Sequence, residues 1–72
     1  MRRFTVILEY DAEAAAYGAV VPALPGCASM GSTVEEALAN VRDAIALHVA
    51  ALEEDGEPVP EDTAVIVTSV AA

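Results

Sequence analysis

The stretch Thr33-Val-Glu-Glu-Ala-Leu-Ala-Asn-Val-Arg-Asp-Ala-Ile-Ala-Leu-His-Val-Ala-Ala-Leu-Glu-Glu-Asp-Gly56 decides the fold. Thr33 and Glu36 form the S/T-x-x-E pattern of a capping box, in which a hydroxyl and a carboxylate satisfy amides that the first helical turn leaves without partners. Glu35 and Glu36 fall in that first turn, where the helix dipole favours negative charge. Val34, Ala37, Leu38, Val41, Ile45, His48, Val49 and Leu52 then recur at alternating steps of three and four, which lines one face of a helix. Gly56 suits the left-handed position just beyond a helix end, and Pro58 and Pro60 forbid continuation. About 20 helical residues make a rod of roughly 30 Å.

Outward from the helix, the rest of the chain reads as strand. Residues 3–10 are short, β-branched and aromatic, with Phe4, Val6 and Leu8 on one face. Residues 17–21 form a second candidate, ended by Pro22 and Pro25, because proline cannot donate to a sheet ladder. Residues 27–30 are a third, before Gly31. Residues 64–70, Ala-Val-Ile-Val-Thr-Ser-Val, are the most strongly β-branched part of the chain and the expected last strand. The predicted class is α+β in the order β-β-β-α-β, an antiparallel-rich sheet with one long helix on one face. A single domain over residues 1–72 is expected.

One helix covers only one face of a sheet. Val6 and Ile7, like Val65, Ile66 and Val67, make their strands apolar on both sides, so the opposite face is expected to be buried by another copy or another protein. Size argues the same way. A chain of 72 residues buries only about 60% of its unfolded surface. Cys27 is the single cysteine, so disulfides cannot supplement the core, and a lone thiol fits a reducing, cytoplasmic compartment. A homo-oligomer, dimer or tetramer, is expected.

With 12 acidic and 3 basic residues the formal net charge is −9. Such a surface repels polyanions, which argues against direct nucleic-acid binding, and it favours a basic protein partner. No apolar stretch approaches the ~20 residues needed to cross a bilayer. Neither a cofactor nor a membrane partner is expected.

Few residues invite catalytic chemistry. His48, the only histidine, shares the inward stripe with Ile45, Val49 and Leu52, which favours a structural or interface role over a base lacking nucleophile and orienting partner. Cys27 has no basic neighbour in sequence to activate it and reads as a small buried hydrophobe. Glu9, Asp11 and Glu13 alternate at the end of the first strand and could hold Mg²⁺ for phosphodiester hydrolysis, but no basic group is placed to hold such a substrate. Glu53, Glu54, Asp55 and Glu57, with Glu61 and Asp62 beyond, are either a solvated helix end or a docking patch for a cationic partner. The glycines match no phosphate-binding pattern.

Taken in order, several short motifs coincide: Leu24-Pro25-Gly26-Cys27, then Gly31, then Thr33-Val34-Glu35-Glu36-Ala37-Leu38, then His48, then Gly56-Glu57-Pro58-Val59-Pro60. Together they resemble the N-terminal domain of the HicB-like antitoxins over roughly residues 4–70. That resemblance implies a partial ribonuclease-H-like fold without its active site, oligomerisation, and neutralisation of a small basic HicA-type ribonuclease toxin. It implies no enzymatic activity. Longer members carry a DNA-binding domain after this one, which a chain stopping at Ala72 is expected to lack. The connection between Asp11 and Tyr17 also lacks the glycines often found there, which predicts a longer or helical turn. The alternative function is a self-assembling interaction domain with no toxin, and the third is a Mg²⁺-dependent hydrolase.

Overall fold

The computed structural model describes residues 2–72 and contains four elements: β1 (Ile7–Asp11), β2 (Ala16–Val20), β3 (Ala28–Gly31) and α1 (Val34–Glu54). The strands form one antiparallel sheet in the order β1-β2-β3. This is the α+β arrangement expected, three consecutive antiparallel strands and then one long helix.

The β1–β2 connection is a loop over residues 12–15. Oδ1 of Asp11 accepts the backbone N–H groups of Glu13 at 3.0 Å and Ala14 at 3.3 Å. That is an Asx turn, in which the side chain imitates the carbonyl of a backbone turn. The missing glycine has a consequence here: Ala15 takes φ 50°, a left-handed conformation that costs a side chain with Cβ about 1–2 kcal/mol. Tyr10 and Tyr17 are cross-strand partners, and their rings lie 5.0 Å apart at 58°, a tilted pairing that fits the aromatic quadrupoles.

β1 starts at Ile7, later than the patterning of residues 3–10 suggests. Beyond the Ile7–Val20 pair, the next position of the neighbouring chain that faces β1 is Pro22, which has no N–H to continue the ladder, while Val21 points the other way and donates to the Cys27 carbonyl at 3.1 Å. That bond closes the loop joining β2 to β3. Inside it, Leu24 donates to Val21 at 3.0 Å and Cys27 donates to Leu24 at 2.9 Å. The second of these is a β-turn with Pro25 and Gly26 at its centre, and Gly26 supplies the positive φ of 86° that a type II turn requires at its third residue. The turn drives Leu24 fully into the core.

The helix is capped at both ends as its sequence predicts. Glu36 donates its backbone N–H to Oγ1 of Thr33 at 3.0 Å. Its carboxylate reaches back one residue further than the cap, accepting the Ser32 backbone N–H at 2.9 Å and the Ser32 hydroxyl at 3.1 Å. At the other end Gly56, at φ 69°, donates to Glu53 at 3.1 Å and Glu57 donates to Leu52 at 2.8 Å, the paired bonds of a Schellman motif.

The core is small. Ala19, Val21, Leu24, Cys27, Ala37 and Val41 are buried, and Phe4, Val6, Leu8, Tyr17, Ala44, Ile45, Val49 and Leu52 pack around them. Alternation and register place Leu8, Tyr10, Tyr17, Ala19, Ser29 and Gly31 on one face of the sheet, and the burial of Ala19 and Gly31 marks that face as the one beneath the helix.

The expected fourth strand does not form within the chain. Residues 57–72 contain no helix or strand. The chain returns to the segment that leads into β1, where Thr5 donates its backbone N–H to Oδ1 of Asp62 at 2.8 Å and its hydroxyl to Oδ2 at 2.7 Å. Beyond it Ile66, Val67 and Val70 are each 88% exposed. β-propensity describes how a side chain fits a pleated, half-buried surface, and without a ladder partner it makes no strand. The radius of gyration, 13.6 Å, exceeds the roughly 11 Å of a compact chain of this length, consistent with a segment lying off the packed body.

Candidate interaction surfaces

Three surfaces differ from an ordinary solvated exterior. The first is the C-terminal end of the helix. Glu53, Glu54, Asp55 and Glu57 are all exposed there, and the last turn holds no basic residue. The helix itself adds about half an elementary negative charge at this end, so each carboxylate works against local stability. Arg2 approaches Glu53 at 3.6 Å, but an exposed pair of this kind contributes at most about 1 kcal/mol. It is the one salt bridge among the described residues, which leaves Glu54, Asp55 and Glu57 without a cation.

The second is the sheet face opposite the helix. Register brings Ile7, Val20 and Ala28 into one row and Glu9, Gly18 and Met30 into the next. No element among the described residues covers them, and Val20 is 47% and Met30 49% exposed. The third is the uncovered segment of residues 64–70.

Near the N-terminus the chain gathers its scarce positive charge. Arg2, Arg3 and Arg42, all three basic residues, line one open hollow of about 560 Å³ together with Phe4, Val6 and Leu38. A neighbouring hollow of about 420 Å³ shares Arg2 and Phe4 and continues along the helix past Ile45 and Val49. Sequence reasoning missed this gathering. Arg42 is far along the chain from the other two, and only the packing of the helix against the N-terminal segment unites them.

The remaining motif residues serve the fold. Leu24, Pro25, Gly26 and Cys27 build the core-filling turn, Thr33 and Glu36 the helix start, and Gly56 the helix end. Burial pushes the Cys27 thiol above its ordinary pKa, which suppresses the reactive thiolate. His48 is half-buried on the helix and makes no side-chain hydrogen bond among the described residues. Glu9, Asp11 and Glu13 do not converge: among the described residues no three histidine, cysteine or acidic side chains are placed to hold a metal ion together. Nor is any helix there long and apolar enough to cross a membrane.

The acidic helix end, the open sheet face and the apolar residues 64–70 are the parts of this α+β fold that its own packing leaves exposed. The family model described as HicB-like antitoxin of bacterial toxin-antitoxin system matches residues 4–71. A UPF0150 protein of Thermoplasma acidophilum is 41% identical over 66 residues, covering 92% of this chain and 94% of that protein. A UPF0150 protein of Synechocystis is 38% identical over 63 residues, covering 88% and 78%. Among solved structures, the N-terminal domain of the Burkholderia pseudomallei antitoxin HicB superposes with a TM-score of 0.69 at 35% identity, covering 94% of this chain and 72% of that one. The chain belongs to the HicB-like antitoxin family.

Proposed function

We propose that this chain, acting as one domain, is an antitoxin that binds and neutralises a small basic HicA-type ribonuclease toxin in the cytoplasm. Family membership supports an antitoxin, and the observation that carries the choice of partner is the electronegative helix end. Glu54, Asp55 and Glu57 are exposed and, among the described residues, pair with no cation, in a chain of net charge −9. They sit where the helix dipole makes them locally unfavourable, so a cationic surface docking there would relieve repulsion as well as add attraction. Such a role is stoichiometric masking, with neither catalysis nor cofactor, and it requires no contact with DNA by residues 4–71.

The test is to look beside this gene for a reading frame encoding a small basic protein and to co-express the two. Capture of a stable complex, and restored growth in cells making the toxin, are the expected results. Charge reversal at Glu54, Asp55 and Glu57 should weaken the complex at least about tenfold and flatten its dependence on salt. A complex indifferent to all three reversals would move the site elsewhere, and the lack of any complex would overturn the reading.

Self-association belongs to the same proposal. The open sheet face around Val20 and Met30, together with the uncovered residues 64–70, favours a homo-oligomer. A self-assembling domain without a toxin is the second reading, distinguished by oligomers that form normally while no toxin binds.

A further inference from the structure

The single chain holds two unfinished features that fit each other. One is an edge. β1 is the outermost strand on its side of the sheet, and its outer N–H and C=O groups have no ladder partner. Beside it run the hollows lined by Phe4, Val6, Leu38, Ile45 and Val49, an apolar trough between the start of the sheet and the flank of α1. Leu38 stays 40% exposed there. The other edge, β3, lacks such a trough, because the helix start closes over it: Asn40 donates to the Met30 carbonyl at 2.8 Å, and Gly31 lies against the Ala37 backbone.

The second feature is a strand without a sheet. Residues 64–70 are β-branched, apolar on both sides and exposed, with no backbone hydrogen bond to another element among the described residues. At about 3.3 Å per residue they would extend roughly 23 Å, enough to run the length of the five-residue β1 and the trough beside it. Their root is tied to the approach to β1 by the Thr5–Asp62 hydrogen bonds.

We propose that residues 64–70 of one copy pair as a strand with the outer edge of β1 in a second copy and fill its trough, two copies exchanging tails about a twofold axis. This rests on the self-association reading above and names its surface. Charge selects the second copy as occupant. Residues 63–72 carry no charged side chain, so they offer a basic partner nothing to read, whereas two chains of net charge −9 can meet there without opposing carboxylates. The trough that receives the tail is ringed by Arg2, Arg3 and Arg42, so it is the part of an acidic surface where the approach of a second acidic copy costs least. The exchange also closes the exposed edge of β1, which would otherwise template uncontrolled pairing, and it supplies each sheet with the fourth strand that its own chain leaves out.

The experiment combines solution mass with filtered nuclear Overhauser spectroscopy on the full chain, mixing labelled and unlabelled copies. The expected result is a dimeric mass, or a multiple of it, with intermolecular contacts from the Val65, Ile66 and Val67 methyls to Phe4, Val6 or Leu38. Ile66→Asp should raise the dissociation constant at least about tenfold while leaving the helical circular dichroism unchanged. A dimer whose tail methyls show no such contacts overturns the tail exchange and leaves self-association standing. Contacts found only within one chain, at monomeric mass, overturn both.

Discussion

Gly31, the last residue of β3, lies directly against the backbone of Ala37 in the first turns of α1. A Cβ at position 31 would fall within 2.8 Å of the Ala37 Cα and nearer still to its amide nitrogen. Both are main-chain atoms and cannot swing aside. This contact sets the distance between helix and sheet, and Gly31→Ala should therefore separate them. A loss of about 1–3 kcal/mol is expected, of the size seen for overpacked cores, read by thermal or denaturant unfolding.

The helix start invites a cleaner substitution. Thr33→Ala removes the acceptor of the Glu36 N–H and should cost about 1 kcal/mol, as lost N-caps do, with no change in oligomeric mass.

At Ala15 the expected sign reverses. Its left-handed backbone, φ 50°, is relieved by glycine, whose larger unfolded-state entropy takes back part of the gain. Ala15→Gly should stabilise the hairpin by about 0.5–1 kcal/mol, seen as a raised midpoint in the same unfolding assay.

Acid should act through two carboxyls. The Ser32 backbone N–H lowers the pKa of Glu36, and the Thr5 backbone N–H lowers that of Asp62; in each case the hydroxyl of the same residue assists. Both groups hold protons less tightly when folded than when unfolded, so their contribution is complete above the ordinary carboxylate range and drains away as pH falls through the lower folded values. A melting-temperature series between about pH 6 and pH 2 should show this decline. Glu36→Gln and Asp62→Asn should each flatten it, and a slope unchanged in both variants would refute the assignment.

Alkali should act through Cys27, where the sign is opposite. Burial raises the thiol pKa, so the folded chain keeps a proton that the unfolded chain releases. The stabilisation is intact below the unfolded value and is lost as pH climbs through the folded one. Cys27→Ala should remove that part of the alkaline decline, whatever it costs in packing.

Much of this architecture was legible because it is local. A capping box, a 3-4 stripe, a Pro-Gly turn and a glycine stop each act within a few residues, and Thr33, Gly26 and Gly56 do what their neighbours imply. Within the helix stripe the inward set was read a little too widely. Val34 and Leu38 remain partly exposed, because the sheet beneath has three strands and is narrower than the stripe. Two features were beyond local reading. The meeting of Arg42 with Arg2 and Arg3 depends on tertiary packing. The state of residues 64–70 depends on whether a neighbouring strand offers a ladder, which no periodicity encodes, so the pattern most like strand is the one part of the expected fold without a strand.

The Thr5–Asp62 bonds have a last consequence. They fasten the chain just before its bare, uncharged end, so residues 63–72 hang from a fixed point. An uncovered copy therefore offers proteases an accessible, water-facing strip that needs no unfolding to reach. A covered copy withholds it. On the proposal that a second copy covers this strip, limited proteolysis of the full chain should trim residues 63–72 of solitary copies before those of paired ones.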